Sequence, residues 1–220
     1  MEHKFKYILA IDPSGNYMEG KGITGWVLID EHEKLLDSGL IKAKNYTRPE
    51  EFWNGHINLI KHFSEKYGTE MIVVIEDYIL YLEKSRSQAN SKMETCRLLG
   101  IMQWYCWSIN QPHKFQRATE VKHRWADDVL LREGTIFKEG KYYTHASGAS
   151  MSVIHKRDAL RHAIHYAVCR NEKDFYKRNN QMKGAYGNVR SNYKSRQWET
   201  EAEPSTTPDN FGHSKSQRIW

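Results

Sequence analysis

The feature of this sequence that most constrains its fold is a short apolar run, Met-Ile-Val-Val-Ile, at residues 71–75. A continuous apolar run of this length is typical of a strand that other elements cover on both faces. A second apolar run at 7–11 ends at Asp-Pro-Ser-Gly, which predicts another strand followed by a turn. Such strands need helices on both sides of their sheet, so the sequence predicts a mixed α/β fold.

The rest of the first 171 residues supplies the other elements of this sheet. Strand-forming runs at 23–29 and 35–43 closely follow the first strand, which favours an antiparallel meander. Thr47 and Ser91 each stand three residues before a Glu, so both are predicted to begin helices as capping boxes. Periodicity and turn signals further predict a fifth strand at 114–117, a hairpin within 134–150, and helices ending near residues 68, 109, 131 and 169.

The chain is predicted to divide into a folded domain at 1–171 and a tail at 172–220, in which no apolar periodicity continues. Within the tail, 177–197 holds six Lys or Arg residues and no acid, whereas 198–210 holds four acids and no base. Tyrosines interrupt the basic stretch, and the whole chain has a net charge of +6. Basic charge attracts phosphates and aromatic rings stack on bases, so the pattern predicts nucleic-acid binding, with an inert disordered tail as the alternative.

Two other classes of protein are disfavoured. No apolar run approaches the ~18–20 residues that cross a bilayer, and the apolar stretch at 7–11 is too short for a signal peptide. The three cysteines are an odd number without a Cys-x-x-Cys pair, which argues against a disulfide framework or a cysteine zinc site. We therefore expect a cytoplasmic protein without membrane partners.

Acidic residues follow two of the predicted strands and open the last helix. Asp12 and Glu76 end neighbouring strands, and Asp158 lies three residues after His155, on the same helix face. Each has an ordinary alternative, such as a solvated turn residue or an acid favoured by the helix dipole. Together, however, converging carboxylates repel unless a cation neutralises them. Oxygen ligands suit Mg²⁺, and one imidazole shifts the preference slightly toward Mn²⁺.

Three residues near these acids are assigned no part in that site. Asp77 adjoins Glu76 but points to the opposite face of an extended strand, so it is not expected to be a ligand. His162 and His165 continue the His155 side of the last helix. We predict that both belong to an exposed polar stripe, with support of the metal ligands as the alternative.

Four motifs, in order, resemble those of the RuvC-type Holliday-junction resolvases. Ile-Leu-Ala-Ile-Asp-Pro-Ser-Gly at 8–15, followed by Thr-Gly-Trp-Val-Leu at 24–28, resembles their opening hairpin. Val-Val-Ile-Glu at 73–76 resembles the strand with their catalytic Glu, and Cys-Arg-Leu-Leu-Gly at 96–100 the next helix, where a Gly permits close packing. His-Lys-Arg-Asp-Ala-Leu at 155–160 resembles their closing motif, in which many members have Asp instead of His. The resemblance covers about residues 5–170 and suits a compact bacteriophage member.

The resemblance implies a fold, a reaction and a set of site residues. The fold is RNase H-like, with a mixed five-stranded sheet flanked by helices. The reaction is metal-dependent hydrolysis of four-way DNA junctions in recombination and repair, leaving 5′-phosphate and 3′-hydroxyl ends. Two Mg²⁺ ions, or Mn²⁺, about 4 Å apart, are then held by the catalytic residues Asp12, Glu76, His155 and Asp158, with Asp12 bridging them.

The same resemblance suggests where DNA and a second subunit bind. A wedge that opens base pairs is assigned to Tyr78, Ile79 and Tyr81. A basic path for DNA beside the wedge is assigned to Lys84, Arg86 and Lys92, and a phosphate contact is assigned to Lys122. The alternatives are a loop anchored by core contacts and a solvated helix lysine.

A nearly two-fold symmetric junction implies a homodimer. The helix with Met102, Trp104, Tyr105 and Trp107 is the candidate interface, with core packing as the alternative. Two other functions remain open: cleavage of RNA–DNA hybrids or flaps by the same fold, and a non-catalytic scaffold that binds nucleic acid.

Overall fold

A computed structural model describes residues 5–18, 20–78 and 93–169 of the protein. Five strands form the main sheet: β1 (Tyr7–Asp12), β2 (Ile23–Asp30), β3 (Leu35–Lys42), β4 (Met71–Asp77) and β5 (His113–Arg117). Their order in space is β3-β2-β1-β4-β5. Strand β2 is antiparallel to both of its neighbours, β1 and β3, whereas β4 and β5 run parallel to β1. The predicted mixed five-stranded sheet is therefore confirmed.

Helices cover both faces of this sheet. They are α1 (Pro49–Tyr67), α2 (Glu94–Ser108), α3 (Ala118–Arg124), α4 (Asp127–Arg132) and α5 (Ile154–Cys169). Because strand side chains alternate, Leu9 and Ile11 pack with α1 and α2, while Ile8 and Ala10 pack with α3, α4 and α5. The apolar runs of β1 and β4 are thus buried on both faces, as the sequence predicts.

The first helix begins one residue later than its capping box predicts, so that box is wrong, whereas Ser91 of the second box lies outside the described residues. Pro49 is the first residue of α1, and a residue before proline is held extended, which makes Arg48 the N-cap. Thr47 instead donates its backbone N–H and its hydroxyl to Glu51, at 3.1 and 2.7 Å. The second helix begins at Glu94, directly after a left-handed residue at 93.

The helix predicted at 119–131 is broken into α3 and α4. Trp125 lies at the break with its side chain fully buried. Its backbone carbonyl accepts a hydrogen bond from Arg161 Nε at 2.8 Å, on α5. Burial of the indole and this tertiary hydrogen bond therefore replace the helical continuation that the local pattern favours.

The hairpin predicted within 134–150 is confirmed as a separate two-stranded sheet of β6 (Ile136–Glu139) and β7 (Tyr142–His145). It is joined to the start of α5, because Met151 N–H donates to the Tyr143 carbonyl at 2.7 Å. The guanidinium of Arg157 also lies 4.0 Å from the centre of the Tyr143 ring.

Helix α2 differs from the sequence expectation at its glycine. A Cβ added to Gly100 would meet no atom within 4 Å, so this glycine does not permit the close packing that its motif implies. It lies instead on the exposed side of the helix, where Trp104 and Trp107 are 63% and 71% exposed. Met102 faces the core and is fully buried.

Within residues 5–18, 20–78 and 93–169, no helix combines the length and the apolar character that crossing a bilayer requires. The predicted tail at 172–220 lies outside the described residues, so the domain division stays a prediction.

Candidate active site

Three carboxylates meet at the edge of the sheet where β1 and β4 end. The parallel register pairs Ile11 with Ile75, so Asp12 and Glu76 follow side by side. Asp158, in the second turn of α5, is the third. One oxygen from each lies within 4.8 Å of the others, and Asp12 and Asp158 are about 95% buried. The structure thus brings together three of the four residues predicted as metal ligands.

The fourth predicted ligand, His155, reaches this cluster through a close approach of α5 to the sheet. Gly25 on β2 is the register partner of Asp12. A Cβ on Gly25 would lie only 2.2–2.4 Å from backbone atoms of His155 and Lys156, so a side chain there would displace the start of α5. With glycine in place, His155 Nδ1 lies 2.7 Å from Asp12 Oδ2.

The turn that follows Asp12 is held in place by contacts with α2, β2 and α1. Gly15 permits the turn to approach α2, since a Cβ there would lie 2.4 Å from the backbone of Glu94. Ser14 N–H donates to Thr24 Oγ1 at 3.0 Å, and the Thr24 hydroxyl lies 2.8 Å from His56 Nε2. Burial lowers the pKa of His56 to about 4, so its ring is neutral at pH 7 and accepts the Thr24 proton.

Two cationic side chains enter the cluster from the other side. Lys122 Nζ, on α3, lies 3.0 Å from Glu76 Oε1 and 2.8 Å from Asp158 Oδ2. Arg161 donates to Asp158 Oδ1 and to Asp127 from the two ends of its guanidinium. Lys122 was expected to contact phosphate and is here paired with carboxylates. Its phosphate contact stays a prediction.

His162 and Gln116 belong to the surroundings of the cluster, although the sequence predicts neither of these contacts. His162 is fully buried, with Nδ1 2.9 Å from Gln116 Oε1 and Nε2 3.0 Å from Glu76 Oε2, so the exposed polar stripe is wrong. His165 is half-buried and accepts the Trp125 indole N–H at 3.4 Å. The useful signal was spacing, because His162 follows Asp158 by four residues and shares its helix face. No comparable pattern pointed to Gln116.

The pKa values of Asp12 and Glu76 are shifted in opposite directions. Burial raises the pKa of Asp12 to about 6, and the nearby charge of Glu76 adds to this, although the hydrogen bond with His155 opposes it. That same hydrogen bond raises the pKa of His155. Burial alone would also raise the pKa of Glu76, but the His162 hydrogen bond and the Lys122 charge outweigh burial and bring it below its ordinary value.

The donor set fits a divalent cation. Three carboxylates with oxygens within 4.8 Å of one another, and an imidazole beside them, are the ligand types that Mg²⁺ and Mn²⁺ accept. The ammonium of Lys122 lies within 3.0 Å of two of the carboxylates, which shows that a cation is accommodated among them.

The predicted wedge and basic path fall mostly outside the described residues. Tyr78 is half-buried and packs against the apolar cluster beneath α1 and α2. Its role as a wedge stays a prediction. Ile79, Tyr81, Lys84, Arg86 and Lys92 all lie in the part of the chain that is not described.

Comparison with known proteins supports the fold. No family model matches the chain, and no curated protein matches it. Among solved structures, Thermus thermophilus RuvC in complex with a Holliday junction substrate is 14% identical with a TM-score of 0.50, and the match covers 76% of this chain and 94% of that one. A second Thermus thermophilus RuvC structure is 15% identical with a TM-score of 0.50, covering 76% and 95%. The chain therefore has a RuvC-like fold of the RNase H-like type, which confirms the fold that the motifs imply.

Proposed function

We propose that the protein is a metal-dependent, structure-selective DNA endonuclease that resolves four-way junctions. The observation that carries this proposal is the convergence of Asp12, Glu76 and Asp158, from three separate elements, at one edge of a RuvC-like sheet. Buried like charges are retained at a stability cost, which is expected where they hold a reactive cation. One similar structure contains a Holliday junction substrate, which supports branched DNA as the substrate class.

The residues of this chain would bind the metal ions and position the groups around them. Asp12, Glu76 and Asp158, with His155 beside them, would bind one or two Mg²⁺ or Mn²⁺ ions. A divalent ion at such a site acidifies a bound water and stabilises the charge that develops on the scissile phosphate. His155 orients Asp12 through its 2.7 Å hydrogen bond, and Lys122 brings a positive charge to where a phosphate would approach.

We further propose that α2 joins two copies of the chain. Paired cuts in a two-fold symmetric junction need two active sites. Trp104 and Trp107 are more than 60% exposed on α2, and Trp104 lines an apolar groove of about 410 Å³ together with Trp53, Gly100 and Ile101. Exposed tryptophans beside an apolar groove are typical of a protein interface.

A cleavage panel tests the enzymatic proposal. The full-length protein is incubated with four-way, flap, duplex and RNA–DNA hybrid substrates in Mg²⁺ and in Mn²⁺. We expect paired cuts in the four-way junction, and none with Asp12→Asn, which should still bind the junction. Asp77→Asn is the matched control, because Asp77 neighbours Glu76 but is not part of the carboxylate cluster, and it should cut normally.

Each other outcome assigns a different function. Preferential cutting of the hybrid would replace the junction by an RNA-containing substrate. Junction binding by the wild-type protein without any cleavage would indicate a scaffold. Full cutting by Asp12→Asn would show that the metal site is misassigned.

Sedimentation velocity tests the dimer. The wild-type chain is expected to sediment as a dimer, and the double variant Trp104→Lys, Trp107→Lys as a monomer that remains folded by circular dichroism. Phe137→Lys, at another exposed aromatic on β6, is the control and should leave the dimer intact. A monomeric wild-type protein, or a double variant that stays dimeric, contradicts this interface.

A further inference from the structure

A buried histidine stands directly behind one of the site carboxylates. His162 is fully inaccessible to solvent, and its ring lies between β4, β5 and α5. Glu76 and Gln116 are register partners on neighbouring parallel strands, so their side chains leave the sheet side by side. The imidazole connects the two, with Nε2 3.0 Å from Glu76 Oε2 and Nδ1 2.9 Å from Gln116 Oε1.

The direction of these hydrogen bonds follows from the chemistry of the partners. A carboxylate that binds a metal ion is ionised and can only accept, so in the metal-binding state Nε2 carries the proton and donates it to Glu76 Oε2. The Gln116 atom that faces Nδ1 is its amide oxygen, which accepts from a protonated Nδ1, and the same amide turned by 180° would donate to an unprotonated Nδ1. The ring is thus held at both nitrogens, and its orientation is fixed.

This arrangement leaves one Glu76 oxygen for the cluster. His162 engages Oε2, whereas Oε1 faces Lys122 at 3.0 Å, on the side of Asp158. A glutamate has three side-chain torsions, and repulsion from Asp12 and Asp158 favours rotation away from them. A fixed donor on Oε2 opposes that rotation.

We infer that His162, held by Gln116, is a positioning residue that fixes the Glu76 carboxylate for metal binding. The inference rests on the metal centre of the proposed function. Hydrogen-bond partners behind a metal ligand commonly change metal affinity by about 10- to 100-fold when they are removed. His162 does this through Glu76, without contact with the metal or the DNA.

The test measures Mn²⁺ binding to the full-length protein by isothermal titration calorimetry, with Mn²⁺ electron paramagnetic resonance as a second readout. His162→Leu is expected to weaken binding about 10- to 100-fold. His162→Gln is expected to recover most of that affinity, because a Gln amide N–H can lie near the position of Nε2. The matched control is His165→Leu on the same helix, which loses the indole hydrogen bond and should bind Mn²⁺ like the wild type.

The possible results separate this inference from the proposed function. Wild-type protein that binds no Mn²⁺ overturns the metal centre and the inference with it. Wild-type binding with unchanged affinity in folded His162→Leu overturns the inference alone, as does an equal loss in His165→Leu, which would indicate general loosening of α5.

A variant on the other side of the ring covers the case in which His162→Leu does not fold. Gln116→Leu keeps the imidazole and removes only the partner of Nδ1, so we expect a smaller loss in the same direction. Unchanged Mn²⁺ affinity in Gln116→Leu, together with no gain in affinity of His162→Gln over His162→Asn, whose amide is too short to reach Glu76, overturns the inference.

Discussion

The site contains two carboxylate–imidazole pairs in which the carboxyl pKa is shifted in opposite directions. Asp12 pairs with His155 at 2.7 Å, and Glu76 pairs with His162 at 3.0 Å. Both acids are largely buried, yet the pKa of Asp12 is raised to about 6 while that of Glu76 is lowered. Lys122 contacts Glu76 directly and not Asp12. The comparison teaches that burial alone does not set the direction of a carboxyl pKa shift, because the His162 hydrogen bond and the Lys122 charge together bring the pKa of Glu76 below its ordinary value.

The largest expected effect comes from displacing the start of α5, which separates His155 from Asp12. Gly25→Val places side-chain atoms where the backbone of His155 lies, so the start of α5 must shift away from Asp12. We expect loss of junction cleavage together with destabilisation of about 1–3 kcal/mol or more, measured by chemical denaturation. Gly100→Ala is the control, because its Cβ meets nothing, and it should stabilise α2 by about 0.5–1 kcal/mol. Cleavage at the wild-type rate by Gly25→Val would show that the close approach is not needed.

The second-largest effect is expected in the free energy of unfolding when Asp12 and Glu76 are each replaced by the corresponding amide. The two variants are compared in metal-free buffer at pH 7.5. The fold disfavours ionised Asp12, whose pKa is about 6 against an ordinary 3.8. Asp12→Asn should therefore stabilise the protein, by at most about 3 kcal/mol. The fold favours ionised Glu76, so Glu76→Gln should destabilise it. Denaturation curves check both signs, and equal signs would contradict the comparison.

The pH dependence of stability sharpens the same contrast. Between about pH 4 and 6, native Asp12 holds a proton that the unfolded chain releases, so its contribution to stability falls as pH rises. Native His56, with a pKa of about 4, stays neutral while the unfolded chain binds a proton below 6.5, so its contribution rises with pH. The two slopes oppose each other in the wild type. We expect stability to rise more steeply with pH in Asp12→Asn, and an unchanged slope would contradict this.

The smallest effect is expected when the Glu76–His162 pair loses its neighbouring cation, as in the Asp12–His155 pair, which Lys122 does not contact. Lys122→Met removes the cation 3.0 Å from Glu76 but keeps an apolar stem of similar length. The pKa of Glu76 should rise, because the charge and the hydrogen bond of Lys122 both lower it in the wild type. Carboxyl-detected NMR titration measures this rise. Lys156→Met, at the residue that follows His155 on α5, is the control, and a shift of equal size there would indicate a general charge effect.

Much of the fold could be predicted from the sequence because its core strands are strongly patterned. The runs at 7–11 and 71–75 are continuously apolar and end at acids, which identifies both the centre of the sheet and two residues of the cluster. The positions of Asp12 and Glu76 follow from strand direction alone. The break at Trp125 could not be predicted, because a tertiary hydrogen bond from α5 competes with the local helical preference.

The exposed polar stripe predicted for His162 was wrong for a different reason. An amphipathic helix is expected to expose its polar face, yet Arg157, Asp158, Arg161 and His162 are all buried. Their polar atoms bind Asp127, Glu76, Gln116 and backbone carbonyls from other elements. These partners are distant in the chain, so periodicity carries no information about them. The polar face of this helix forms the interior of the site.

The interruption between α3 and α4 has a consequence for anyone who redesigns this scaffold. Because the helix is interrupted, the Trp125 carbonyl is available to accept a hydrogen bond from Arg161 Nε. The same guanidinium donates to Asp158 Oδ1. Asp127, the first residue after the kink, receives the other end of that guanidinium. Straightening this stretch into one continuous helix would satisfy local helix propensity, but it would remove the backbone acceptor of Arg161 and, with it, the support that Arg161 gives to Asp158.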